Sequence, residues 1–340
     1  MTVRILCIGL GGLGIISSYS LLRNENVEIT AVIRSDYDVV QKLGYTIDSV
    51  DYKPKLGIIT YKPHHVVKSL SELPENPFDY IVIATKVIPK PSGNIWNDIE
   101  KYEKNLINED TSIVLLQNGI DIEKYWKYPN LISGVSYISS TNSNGKVTQY
   151  GTDNVKFGFF NKHNVSEKQS QKLKQFIDLY SNEFNKVSLD SNVKLSRWKK
   201  LLYNSSYNTI CCLVDLDIGR LYQQEDIAIP NLITPLMKEI QIVGNLDLKN
   251  DESDVFISDT DIETIESLTK KFDKPTSYQP SMLVDYRNDR QIELETIIGN
   301  VTRIYQNLNG DSSKIPNLTF LYNLLKLVQF KIQLKNQGEK

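Results

Sequence analysis

Gly9-Leu10-Gly11-Gly12-Leu13-Gly14 follows the apolar run Val3–Ile8 and precedes a stretch of apolar-periodic residues. The succession reads as a strand, a glycine turn and the start of a helix. Gly9 permits the tight turn, Gly11 lets a pyrophosphate approach the backbone, and Gly14 lets the helix pack close to the strand. The first N–H groups of that helix lack intrahelical partners and face the phosphates with the helix dipole behind them. The whole run, Leu10, Gly12 and Leu13 included, is therefore expected to bind a dinucleotide. A purely structural glycine turn is the alternative.

Which dinucleotide depends on the second strand, Val27-Glu28-Ile29-Thr30-Ala31-Val32-Ile33, which ends in Arg34-Ser35. An acidic residue about 20 residues past the glycines ordinarily holds the ribose 2′-hydroxyl of NAD. Here that place holds a guanidinium and a hydroxyl. Arg offers a planar fork of permanent charge that suits a phosphate, so the expected cofactor is NADP(H). The competing reading makes Arg34 a solvated strand-end residue and gives the acidic role to Asp36.

Working outward, the chain has 340 residues and a net charge of −2. That length accommodates two domains with their own cores. The charge balance gives no electrostatic case for nucleic acid or an anionic membrane. No apolar run approaches the ~20 residues that span a bilayer. A signal peptide would need its cleavage site where the glycine loop lies, so none is expected. Cys7, Cys211 and Cys212 lack metal or redox-motif spacing and read as packing residues in a reducing compartment, which suggests the cytoplasm. His64, His65 and His163 all fall in polar, loop-like segments. Neither a histidine acid nor a metal site is expected.

The first half alternates strand-like and helix-like segments. Strand candidates are residues 3–8, 28–33, 80–85, 112–117, 131–139, 155–160 and 186–189. Asn144-Gly145 signals a hairpin among the later ones, and Ser166–Ser181 reads as a helix. From about Asp190 only helical periodicity remains, through residues 204–212, 229–243, 262–271, 281–307 and 318–334. The expected fold is α/β followed by all-α: a Rossmann-type dinucleotide-binding domain over residues 1–190, then a helical domain over 191–340. The loop Pro89-Lys90-Pro91-Ser92-Gly93 falls after a strand's carboxyl end, where open α/β sheets bind ligands.

Lys86 and Asn118 also follow strand ends. A lysine there can add charge to a phosphate, and an asparagine can bridge ribose and substrate; alone, both are ordinary loop residues. In the helix read over residues 197–208, Lys200, Asn204 and Asn208 line one face. That face is either solvated or turned to a polar cleft, since a buried Lys-Asn-Asn stripe would strand its polar groups. Ser281 and Asp285 are one helical turn apart, and Glu293 lies among Ile292, Leu294, Ile297 and Ile298, so it is expected to be partly desolvated. Without further context this is a charged amphipathic helix.

These spaced residues together resemble the ketopantoate reductase (2-dehydropantoate 2-reductase) family, nearly end to end. The resemblance covers the loop Gly9–Gly14, Arg34, Lys86, Asn118-Gly119, Trp198-Lys199-Lys200-Leu201 with Asn204 and Asn208, Ser281-Met282-Leu283 with Asp285, Glu293, and Gly310 with Pro316. It implies NADPH-dependent reduction of ketopantoate to pantoate in pantothenate biosynthesis. Lys200 would be the proton donor and Glu293 its partner. Asn118, Asn204, Asn208 and Ser281 would grip the keto acid, and Asn118 would touch the cofactor too. One departure is the run Thr209-Ile210-Cys211-Cys212-Leu213, with Ile218 before Gly219, where the family is often more polar. The pocket is therefore expected to be more apolar than usual, and the alternatives are a paralogue acting on another branched 2-keto acid or a non-catalytic NADP(H) sensor. Helical second domains of this kind often pair, which leaves a homodimer open, although no exposed apolar stripe stands out in the sequence.

Overall fold

The computed structural model describes residues 2–90, 93–161 and 165–338. Pro91 and Ser92 of the expected ligand loop, and His163, lie outside the described residues. Two compact units emerge: Met1–Lys86, Lys90–Gln117 and Glu123–Val193 form one, and Val87–Pro89, Asn118–Ile122 and Lys194–Lys340 the other. Two short segments from the first half of the sequence thus belong with the helical unit.

The first unit contains the strands β1 (Val3–Ile8), β2 (Val27–Val32), β3 (Tyr45–Ser49), β4 (Ile59–Tyr61), β5 (His65–Val67), β6 (Tyr80–Ile83), β7 (Ser112–Leu115), β8 (Leu131–Ser136), β9 (Ser139–Ser143), β10 (Lys146–Gly151), β11 (Asn154–Phe159) and β12 (Lys186–Leu189). Eight form one sheet in the order β12-β11-β8-β7-β6-β1-β2-β5. From β5 to β8 every pairing is parallel, and β11 then runs antiparallel to β8. The central strands are buried on both faces, as parallel strands covered by helices must be. Ile5, Leu6, Tyr80, Ile81, Val114 and Leu115 are almost fully enclosed. Strand order reverses between β1 and β6, and that switch point opens the ligand crevice of such sheets.

A second sheet, β4-β3-β10-β9, was only partly legible. The Asn144-Gly145 hairpin joins β9 to β10, with positive φ at both turn residues. β3, β4 and β5 lie outside the expected strands, because they are short and mix polar with apolar residues. The expected single strand 131–139 instead breaks after Ser136, and its continuation joins the other sheet. His65, expected in a loop, sits in edge strand β5 and pairs with Glu28 at 2.8 Å.

The helical unit runs through Val193–Asn204, Tyr207–Val214, Thr234–Asn250, Asp259–Phe272, Ser281–Arg287, Asn300–Asn307 and Pro316–Asn336, with π-helical turns at Ile229–Ile233 and Glu295–Gly299. Trp198 is fully buried and its indole donates to Asp247 at 2.9 Å. Gly244 meets the indole so closely that an added Cβ would lie 3.0 Å from it. Buried Glu239 accepts from the backbone N–H groups of Asn317 and Leu318, at 3.0 and 2.7 Å, and so satisfies orphan donors at the start of the last helix. Two expected helices are interrupted. The 281–307 stretch opens between Asn288 and Glu293, where Asp289 adopts a positive φ. The 197–208 stretch breaks at Ser205-Ser206. The last helix exposes the apolar side chains Phe320, Leu327 and Phe330, where no exposed apolar stripe stood out in the sequence. Among the described residues no helix is long and apolar enough to cross a membrane.

Candidate active site

In the first unit the glycine loop follows β1. Gly9 has φ +92, and an added Cβ would run into the backbone N of Thr85 just after β6. Gln117, after β7, holds Thr85 by donating to its carbonyl at 2.8 Å. Gly14 leaves room for the carbonyl of Gly9 and the side chain of Ala84, and Gly12 abuts Ser140 of β9. Gly11 differs: nothing lies within 4 Å of where its Cβ would be. Helix α1 (Gly12–Leu22) begins there with no side chain capping its first turn. A close-approach glycine beside uncapped N–H groups is the cradle a pyrophosphate needs. Of the other candidates here, Arg34 is exposed and makes no hydrogen bond or ion pair with the described residues, and Lys86 is exposed beyond β6. The carboxylate of Asp36 is buried and engaged, accepting from Asn142 Nδ2 at 2.6 Å.

In the helical unit a small cleft is lined by Asn118, Asn204, Asn208, Ser281, Met282, Asp285, Glu293 and Ile297. Five of the residues singled out for substrate thus share one wall, and Lys200 reaches that wall by donating to Asn118 Oδ1 at 2.6 Å. Asn118 is held there because its segment is stitched into the helices. The Gly119 carbonyl accepts from the Arg197 guanidinium at 2.9 Å, Ile120 N–H donates to the Thr296 carbonyl at 3.1 Å, and Asn300 donates to the Ile120 carbonyl at 2.8 Å. Gly119, at φ +98, lies against Thr296 with no room for a side chain.

The Lys-Asn-Asn stripe survives the helix break for a physical reason. The hydroxyls of Ser206 and Thr209 bond back to carbonyls of the preceding turn, and Ser205 donates to the Ile297 carbonyl at 2.8 Å. Such back-bonding satisfies groups the kink frees. Asn208 Nδ2 then donates to Asn204 Oδ1 at 3.1 Å, while Asn208 Oδ1 is buried with no partner among the described residues. An unmet buried acceptor on a cleft wall is a place for a ligand donor. Ser281 Oγ lies 3.5 Å from Asn208 Nδ2. Glu293, 7 % exposed, accepts from Val87 N–H at 3.1 Å; it precedes the π-turn rather than sitting mid-helix.

Lys200 is half-buried, with its ammonium end withdrawn from water among polar neighbours. Burial is the largest influence and lowers its pKa; Arg197 pushes the same way, Glu293 opposes, and the result falls to about 7. Four residues of the site, Asp285, Arg197, Met282 and Ile297, escaped the sequence reading as site residues. Asp285 is buried at the cleft and pairs with Arg290 at 3.2 Å. Arg197 was legible only as one more charge in a basic run, and Ile297 only as an apolar neighbour of Glu293. The residues from which a more apolar pocket than usual was expected do not line the cleft: Ile210, Cys211, Cys212 and Ile218 belong to the helical core, and the cleft wall is mostly polar. The thiols of Cys211 and Cys212 are pushed up to about 12, chiefly by burial, which leaves them inert.

Residues 5–162 match the family model "Ketopantoate reductase PanE/ApbA", and residues 192–329 match its C-terminal model. An uncharacterized protein of Saccharomyces cerevisiae is 36% identical over 97% of this chain and 94% of its own length. The crystal structure of 2-dehydropantoate 2-reductase from Methylococcus capsulatus is similar at 27% identity and TM-score 0.74, covering 97% of this chain and 98% of that one. A ternary structure of D-mandelate dehydrogenase with NADH and anilino(oxo)acetate shares the fold, at 21% identity and TM-score 0.77, covering 97% and 99%.

Proposed function

The chain belongs to the ketopantoate reductase family of oxidoreductases, and on that premise we propose that it reduces 2-dehydropantoate to pantoate with NADPH, a step of pantothenate biosynthesis. The observation that carries this reading is Lys200 hydrogen-bonded to Asn118 at the head of a polar cleft that also holds Asn204, Asn208, Ser281 and Glu293. The glycine loop and Arg34 are the residues that would hold the dinucleotide, which supplies a hydride when bound. Charge then develops on the ketone oxygen. Lys200 stabilises that charge and gives up its proton to form the hydroxyl. A lysine poised near neutrality is a better acid than one at its ordinary value, and the negative charge of a bound 2-keto acid favours its protonated form. Asn118 orients the ammonium. Glu293 offsets part of the burial penalty on Lys200. Asn204, Asn208 and Ser281 offer donors and acceptors to the carboxylate and distal hydroxyl. NADPH, rather than NADH, is supported by Arg34, which has no ion-pair partner among the described residues, and by the occupied Asp36.

A second reading is reduction of another branched 2-keto acid, favoured by the apolar side chains of Met282 and Ile297 in the wall. NADPH consumption measured with a panel of 2-keto acids decides between them. The proposal expects ketopantoate to have the highest kcat/KM. A different best substrate replaces the first reading by the second, and no turnover with any 2-keto acid overturns both.

A further inference from the structure

Asp36 stands two residues beyond Arg34, on the strand end that reads the adenosine ribose in this type of sheet. A carboxylate loose at that place would oppose a 2′-phosphate by like-charge repulsion, or neutralise Arg34 by pairing with it. In the structure it does neither. Arg34 and Ser35 are exposed, whereas Asp36 is buried and no ion pair forms between Asp36 and Arg34. Asp36 also forgoes the usual work of its position. It precedes the helix Tyr37–Leu43, where an aspartate ordinarily caps the first turn, yet its side chain makes no capping bond. Its carboxylate is instead turned to the second sheet, where Asn142 of β9 donates to Oδ2 at 2.6 Å.

Asn142 is itself fixed. Its Oδ1 accepts from Gly145 N–H at 3.1 Å within the hairpin turn, and its Nδ2 also lies 3.5 Å from the Leu10 carbonyl in the glycine loop. One amide therefore spans the hairpin, the phosphate loop and the acid. Resting on the NADP(H) reading above, the geometry points to Asn142 as a positioning residue for cofactor choice: it sequesters Asp36 so that the strand end presents only Arg34 and Ser35 to the ribose. The 2′-phosphate form is then accepted because the chain's own acid is held elsewhere, and not only because Arg34 is present.

The test is fluorescence titration of NADPH and NADH against the full-length protein, the Asn142→Ala variant and the Asn142→Ala/Asp36→Asn double variant. Freeing the carboxylate weakens NADPH by about tenfold in the single variant and leaves NADH within a few-fold. Removing the charge in the double variant restores NADPH affinity. An unchanged ratio of the two dissociation constants in Asn142→Ala overturns the inference. So does loss of both cofactors together without rescue by Asp36→Asn, because a merely disrupted hairpin behaves that way. A parent protein that binds NADH as well as NADPH sinks the NADP(H) reading itself, and the inference with it, before any variant is compared.

Discussion

Lys200 carries three influences on its ammonium that act in known directions. Burial and Arg197 disfavour the charge, Glu293 favours it, and the balance sits at about 7. If the protonated lysine is the acid, kcat/KM falls as pH rises through that value, because the free enzyme loses its proton there. Glu293→Gln removes a raising influence and shifts the alkaline limb to lower pH. A pH profile that stays flat across neutrality, or a limb that moves upward in Glu293→Gln, removes Lys200 from the role. Lys200→Ala lowers kcat by roughly 10²–10⁴, the range of a positioned acid, and leaves NADPH binding intact; stopped-flow turnover beside a binding titration reads both. Arg34→Ala costs NADPH roughly 1.5–3 kcal/mol of affinity, the size of a charge-assisted contact, and spares NADH. Equal losses for the two cofactors in calorimetry contradict that assignment.

Elements decide how such residues come to share a wall. The kink at Ser205-Ser206 carries Asn208 onto a second short helix, yet the serine and threonine hydroxyls keep the turn closed and Asn208 facing Asn204. Asn208→Ala raises KM for the keto acid with little change in cofactor affinity; steady-state kinetics showing normal KM and weakened NADPH would place Asn208 outside substrate binding. At the other element that matters, α1 starts against β1 and β6 because Gly14 has no side chain. Gly14→Val drives a branched side chain into the Gly9 carbonyl and Ala84. Overpacking of this kind costs about 1–3 kcal/mol, so thermal unfolding should occur at lower temperature and dinucleotide binding should fail. A variant with the parent's melting temperature would show that the helix can move away cheaply.

At the scale of the whole molecule, stability includes a buried acid far from the cleft in sequence. Asp153 is fully enclosed and accepts from Ser20 Oγ at 2.6 Å and Tyr180 Oη at 3.1 Å. Burial raises its pKa to about 6, against the lowering influence of those hydrogen bonds. A carboxyl whose folded value is raised holds its proton better in the native state. The stability it contributes is complete below its ordinary value of 3.8 and is lost as pH rises through about 6. Over that window the group removes roughly 2–3 kcal/mol. Asp153→Asn does not titrate, so its melting temperature changes less between pH 4 and pH 7 than the parent's. Parallel pH dependences would mean the network, rather than this proton, sets the trend.

Local sequence determined the elements whose signals are local. Glycines at fixed offsets after an apolar strand, helical periodicity beyond residue 190, the Asn144-Gly145 turn and the spacing of Lys200, Asn204 and Asn208 all depend on steric and periodic constraints within a few residues. What tertiary structure alone decided depends on neighbours remote in the chain. The short strands β3 to β5 exist because partners supply their hydrogen bonds, not because their own residues favour them. Asn118 joins Lys200 across 82 positions, and Glu293 is withdrawn from water by packing that no local pattern records. The acidity of Lys200 follows from desolvation, which is a property of its surroundings. The fate of Asp36 is the same kind of fact: the sequence offers an acid beside an arginine, and only the arrival of Asn142 from the second sheet settles which way that acid faces.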